Sequence, residues 1–139
     1  MKIESFEDIA SWQKARELTK LIYRHAKSGE FRRDFSLRDQ ICRASTSIMS
    51  NIAEGFERGG DKEFLQFLST AKGSCGEVRS DLYVALDQDY LTQTQFEEMR
   101  QMTISISRLI AGFMKYLQQS QLRGSKYNQQ PDKPRKPRR

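Results

Sequence analysis

Apolar residues recur through most of the chain at steps of three and four, the spacing that lines one face of a helix. In the first such stretch, Ile9, Trp12, Ala15, Leu18, Ile22 and Ala26 share a face. Ser5, with Asp8 three residues on, is placed to cap its start, and Gly29 to end it. The connection 29–34 is charged. In the second stretch the stripe is Leu37, Ile41, Ala44, Ile48 and Ile52, with Ser36 as candidate cap. The Gly59-Gly60 pair stops it, since each glycine costs roughly 1 kcal/mol inside a helix. Asp61 is placed to cap the third helix, whose period is the cleanest: Phe64, Leu68, Ala71, Cys75, Val78, Leu82 and Ala85 alternate steps of four and three. That repeat suits knobs-into-holes packing at a crossing angle of about 20°. The fourth helix has the strongest start signal, a capping box of Thr92 and Gln95 with Leu91 and Phe96 at the staple positions. Met99, Met102, Ile106, Leu109, Phe113 and Tyr116 continue it.

Runs of β-branched residues between hairpin turns are lacking, and no proline precedes Pro131. Four helices, each about 30–40 Å long at 1.5 Å per residue, joined by short polar connections, predict an all-α protein: an antiparallel up-down-up-down four-helix bundle over residues 1–119. Leu65, Phe67 and Leu86 on the third helix, and Ile110, Met114 and Leu117 on the fourth, lie outside the main seam. They predict either a wide core face or a subunit interface, and the second is favoured because closed homo-oligomers are the usual cover for such surface.

Charge divides the chain. Residues 120–139 hold seven basic groups and one acid, which accounts for the whole net charge of +6 and leaves the body neutral. With all three prolines and little apolar area, this segment is expected to be a flexible tail. It reads either as an arm that neutralises phosphates or as a solvated, solubilising end. The opening residues lack the apolar core of a signal peptide, and no stretch is long and apolar enough to span a membrane. A cytoplasmic protein is expected.

Candidate chemistry is thin. His25 is the sole histidine, placed near the end of the first helix where it suits the C-terminal carbonyls. Without a second histidine, metal and di-iron spacings are absent, and no nucleophile motif accompanies it. Asp87 and Asp89 start like a calcium loop, but Leu91 and the missing glycine break that pattern. No Gly-rich phosphate loop follows a strand. Cys42 and Cys75 lack CxxC spacing and read as reduced core residues. These absences predict a protein that is not an enzyme, with no cofactor and no metal.

The remaining candidate is a polar helix face made of Gln40, Arg43, Ser47, Asn51 and Glu54, with Arg58 placed to pair with Glu54. It reads either as structural, its groups satisfying one another, or as a patch that contacts RNA or a partner. Ala71, Gly73, Ser74, Cys75 and Gly76 read as a close-approach surface for a neighbouring helix.

Segments 6–23, 40–55 (with the element Asn51-Ile52-Ala53-Glu54-Gly55), 63–68 and 71–77 resemble the four-helix-bundle proteins of bacterial 23S rRNA intervening sequences. The resemblance covers about residues 5–118. It implies an antiparallel bundle, assembly into a pentameric ring, and no enzymatic activity. Ser47, Asn51, Glu54 and Gly55 match the family motif. More distantly, the chain is similar to accessory variability proteins of diversity-generating retroelements, which implies engagement of a reverse transcriptase and nucleic acid. The basic extension after Gln119 departs from the family pattern.

The expected function is therefore sequence-tolerant, phosphate-directed binding of RNA or DNA by a homo-oligomer, the alternative being an accessory scaffold that docks a protein partner. The expected contacts are Arg135, Lys136, Arg138 and Arg139, then Lys133, with Arg123 and Lys126 nearer the body. Arg32, Arg33 and Arg38 add to them from the first connection.

Overall fold

The computed structural model describes residues 2–128, with side chains from Lys2 to Ser120. Four α-helices carry the described chain: α1 (Ala10–Ala26), α2 (Phe35–Glu57), α3 (Asp61–Asp87) and α4 (Gln93–Asn128). Short 3₁₀ turns at Phe6–Asp8 and Gly29–Arg33 precede α1 and α2. There is no strand among the described residues, and no helix among them is long and apolar enough to cross a membrane.

Cross-helix contacts fix the directions. Gln40 meets Asp81 and Ser47 meets Ser74, so α2 and α3 run antiparallel. Tyr83 packs on Phe96 while Phe64 packs on Phe113, which makes α3 and α4 antiparallel as well. α1 packs against α2 and α4, and α3 against the same two. The expected up-down-up-down bundle results.

The expected stripes of α1 to α3 form the core, apart from Trp12, which is half-buried against Phe6. All seven seam positions of α3 are buried. On α4 the seam differs. Met99, Thr103, Ile106, Ile110 and Leu117 are buried, whereas Leu109 and Tyr116 are exposed. The pattern through Met102, Leu109 and Tyr116 lies one residue, about 100° of helix, off the axis the other helices face. Ile110 and Leu117 are therefore core residues, and Leu65, Leu86 and Met114 pack partly buried against it. The apolar width of α3 and α4 is largely taken up by the chain's own core.

Helix starts differ from expectation in detail. Asp8 accepts from the backbone N–H groups of Glu4 and Ser5 at 2.9 and 3.1 Å, but this arrangement closes the 3₁₀ turn. Ile9 is extended, and α1 begins only at Ala10. Asp34, not Ser36, caps α2, its carboxylate accepting from the Leu37 N–H at 3.1 Å. A carboxylate suits the positive end of the helix better than a hydroxyl. At α3 the cap position falls to Gly60, with Asp61 the first helical residue. The Thr92–Gln95 box forms in both directions, at 3.0 and 3.1 Å. α4 continues through residues 120–128, where a flexible tail was expected.

Gly55 lets α2 and α3 approach. A Cβ there would stand 2.6 Å from the Phe67 Cβ and 2.8 Å from a Phe64 ring carbon. Gly73 and Gly76 do the opposite of what was expected: a Cβ on either meets nothing within 4 Å. Of the small-residue group on α3, only Ala71, Ser74 and Cys75 are buried.

Candidate nucleic-acid interface

The α1–α2 connection helps wall a strongly charged concavity. α1 ends at Ala26, Ser28 is extended, and Gly29, at φ +56°, takes the left-handed conformation that opens the 3₁₀ turn. Phe31 then folds inward to 2 % exposure and stacks on Tyr90 at 5.1 Å. This buried ring, the one apolar residue of a charged connection, was not recognised as a core residue from sequence. Its isolation among charges was the available signal. Pinned there, the turn brings Arg32 alongside the last turns of α1 and the first turns of α2.

The result is an open cleft of about 650 Å³, walled by Tyr23 and Lys27 on one side and by Arg38, Cys42 and Arg43 on the other. Lys27, Arg32, Arg38 and Arg43 supply four cations, against Asp39 as the single carboxylate in the lining. Arg38 is held in place: it donates to the Arg32 carbonyl at 3.0 Å and to Asp39 at 3.2 Å, and its guanidinium lies 4.7 Å from the centre of the Phe35 ring. The Lys27 ammonium stands 5.9 Å from the Tyr23 ring centre. Arg43 has no ion pair among the described residues.

Of the expected body contacts, Arg32 and Arg38 thus meet in the cleft, together with Arg43 from the polar face and Lys27, which sequence reasoning passed over. Arg33 does not line it and instead faces Glu30 at 3.8 Å on the open surface. Arg123 and Lys126 fall within α4. Lys133, Arg135, Lys136, Arg138 and Arg139 lie outside the described residues.

In the rest of the polar face, Gln40 and Ser47 reach α3, Asn51 bonds back within α2, and Glu54 stays on the surface. Gln40 donates to Asp81 at 2.7 Å, Ser47 and Ser74 share a hydrogen bond of 3.0 Å, and Asn51 donates to the Ser47 carbonyl and hydroxyl at 2.8 and 3.0 Å. Glu54 pairs with Arg58 at 2.8 Å on the surface. Gln40, Ser47, Asn51 and Glu54 thus all have partners within the chain.

Cys42 is half-buried in the cleft wall, not a core residue as expected, and burial pushes its thiol up with Asp39 adding to the effect. Cys75 is the core cysteine, pushed up to about 12 by burial. His25 sits outside the cleft lining, its pKa lowered first by burial and then by Arg24. Among the described residues no three His, Cys, Asp or Glu side chains converge on a metal-sized site.

A second cleft, of about 760 Å³, lies at the other end of the bundle and is mainly apolar, with Ile3, Phe56, Phe64, Phe113 and Tyr116 in its lining.

Three comparisons with known proteins bear on this arrangement. The sequence profile described as 23S rRNA-intervening sequence protein matches residues 7–112. The fold is similar to the 1.70 Å crystal structure of a protein of unknown function from the S23 ribosomal protein family of Bacteroides thetaiotaomicron VPI-5482. The two are 24% identical with a TM-score of 0.69, over 76% of this chain and 99% of that one, a likeness that speaks for the fold. No curated protein matches the chain.

Proposed function

The chain belongs to the 23S rRNA-intervening sequence protein family, and on that premise we propose that it is a non-catalytic, cytoplasmic protein that binds RNA or DNA through phosphates. The supporting observation is the gathering of Lys27, Arg32, Arg38 and Arg43 around one open cleft with a single opposing carboxylate. A neutral body gains an affinity for polyanions only by concentrating its cations, and counterion release then makes binding salt-dependent and sequence-tolerant.

Self-assembly into a ring belongs to the same proposal. Several copies of the cleft on one particle convert weak single contacts into strong binding through effective concentration. With Ile110 and Leu117 inside the core, the apolar surface left for subunit contact on α3 and α4 is Tyr83, Val84, Leu109 and Tyr116.

The experiment is a titration of labelled RNA at two salt concentrations. One variant carries Arg38→Gln with Arg43→Gln; another carries glutamine at Arg135, Lys136, Arg138 and Arg139. Each lost phosphate contact should lower the slope of log affinity against log salt by about 0.7–0.9. Unchanged affinity and slope in both variants overturn the reading.

A second reading, an accessory scaffold for a protein partner such as a reverse transcriptase, draws on the apolar cleft at the opposite end. It predicts that Tyr116→Ala removes partner capture while nucleic-acid binding stays intact.

A further inference from the structure

We propose that the cationic cleft is a single-strand site, in which unpaired bases stack on Tyr23 and Phe35 while Lys27, Arg32, Arg38 and Arg43 hold the flanking phosphates. The inference rests on the nucleic-acid reading above and narrows it to a substrate class.

Two exposed aromatic rings carry it. Phe35 is 64 % exposed, the most exposed large apolar side chain among the described residues, and Tyr23 is 37 % exposed. Neither contributes to the core, although Phe35 opens α2 only two residues before the buried Leu37. A lone exposed ring is ordinary. Here, however, each ring stands against a cation that lines the cleft: Tyr23, itself in the lining, beside Lys27, and Phe35, outside the lining at its edge, against Arg38. Alternating flat apolar faces and positive charges is the composition of a surface that tracks a single strand: the rings take bases of any identity, and the cations take the backbone between them.

Shape points the same way. The site is concave, and its volume of about 650 Å³ falls within the roughly 300–1,000 Å³ that accommodates small ligands. A splayed base fits such a hollow. A duplex presents its phosphates on a convex cylinder with its bases stacked inside, so it reaches the rim cations but neither ring. The Arg38 guanidinium, 4.7 Å from the centre of the Phe35 ring, is held by the Arg32 carbonyl and Asp39.

Cys42 gives the site a built-in reporter. It is half-buried in the cleft wall, while Cys75 is buried in the core, so a bound base or sugar should shield the first thiol and leave the second unaffected.

The test uses the full chain and four fluorescent probes: a single-stranded RNA, a DNA of the same sequence, the corresponding duplex, and an abasic strand of equal length. The single strands should bind at least tenfold more tightly than the duplex or abasic probe. Tyr23→Ala and Phe35→Ala should each weaken single-strand binding by about 5-fold to 150-fold and leave duplex binding unchanged, whereas Tyr23→Phe should retain it. Single-stranded probe should slow maleimide labelling of Cys42. Equal affinity for all four probes with unaffected ring variants overturns the single-strand site. In that case weakening by Arg38→Gln with Arg43→Gln still sustains the phosphate-binding reading, and its absence removes both. Tight single-strand binding with undiminished Cys42 labelling overturns the placement in this cleft. Both rings lie outside the core, so unchanged helical circular dichroism is expected of the variants. If Tyr23→Ala unfolds, Phe35→Ala decides the matter alone.

Discussion

The Gln40 side-chain amide donates to Oδ1 of Asp81 at 2.7 Å, while Oδ2 of that carboxylate, shut off from solvent, has no hydrogen-bond partner among the described residues. Burial pushes the Asp81 carboxyl above its ordinary range, the Gln40 bond draws it partly back, and Glu77 pushes it further up. The folded chain thus holds this proton to higher pH than the unfolded chain. Stability from this group is full below the unfolded value of about 3.9 and is lost as pH rises through the folded value. Asp81→Asn should therefore gain stability relative to wild type as pH rises from about 4 toward 7, read from urea midpoints. A pH-independent difference would contradict the assignment.

Gly55 and the two unpacked glycines of α3, Gly73 and Gly76, should respond in opposite directions to the same change. Gly55→Ala places a methyl against the Phe67 Cβ and should cost about 1–3 kcal/mol through overpacking. Gly73→Ala and Gly76→Ala meet open space in mid-helix and should each stabilise by about 0.5–1 kcal/mol. Thermal or urea denaturation separates the two cases. A stabilising Gly55→Ala would show that α2 and α3 do not need their close approach.

Asp34 joins two distant segments, capping α2 through the Leu37 N–H and accepting from the Tyr90 hydroxyl at 3.0 Å. Asp34→Ala should cost about 0.5–2 kcal/mol as a lost cap. The Asp34 bond, the largest cause, also raises the Tyr90 pKa. In Asp34→Ala the tyrosinate absorbance change assigned to Tyr90, by difference from Tyr90→Phe, should move to lower pH. No movement would mean that the hydroxyl is not bonded there in solution.

The two thiols should differ in reactivity. Cys42, half-buried and disfavoured as a thiolate by burial and Asp39, should react slowly with a disulfide reagent in the native protein. Cys75, whose thiol is pushed up to about 12 by burial, should react only as the chain unfolds. Peptide mapping after timed labelling checks the order, and early modification of Cys75 would show that the core opens locally.

Much of the bundle could be read in the chain because the signals are local. The α3 seam from Phe64 to Ala85 repeats within one helix, and the Thr92–Gln95 box closes over three residues. Where local signals competed, the outcome followed tertiary packing. Ser36 was the cap expected for α2, and Tyr90, whose hydroxyl also bonds the Asp34 that takes the role, is far away in sequence. Leu109 and Ile110 are both apolar neighbours on α4, and only the direction of the bundle axis makes Ile110 the core residue. Gly73 and Gly76 looked like packing glycines because spacing cannot reveal which face a neighbour occupies.

The cleft shows the same division. Arg32, Arg38 and Arg43 were individually visible as basic residues, but nothing in their spacing joined them to Lys27 and Tyr23 on another helix. Periodicity and capping chemistry, which act over a few residues, determined that this chain makes four helices and where the fourth begins. The gathering of four cations and Tyr23 into one hollow, the burial of Phe31 and the half-satisfied carboxylate of Asp81 were decided only by the packed bundle. Those relations depend on which faces of separate helices are brought within a few ångströms of one another.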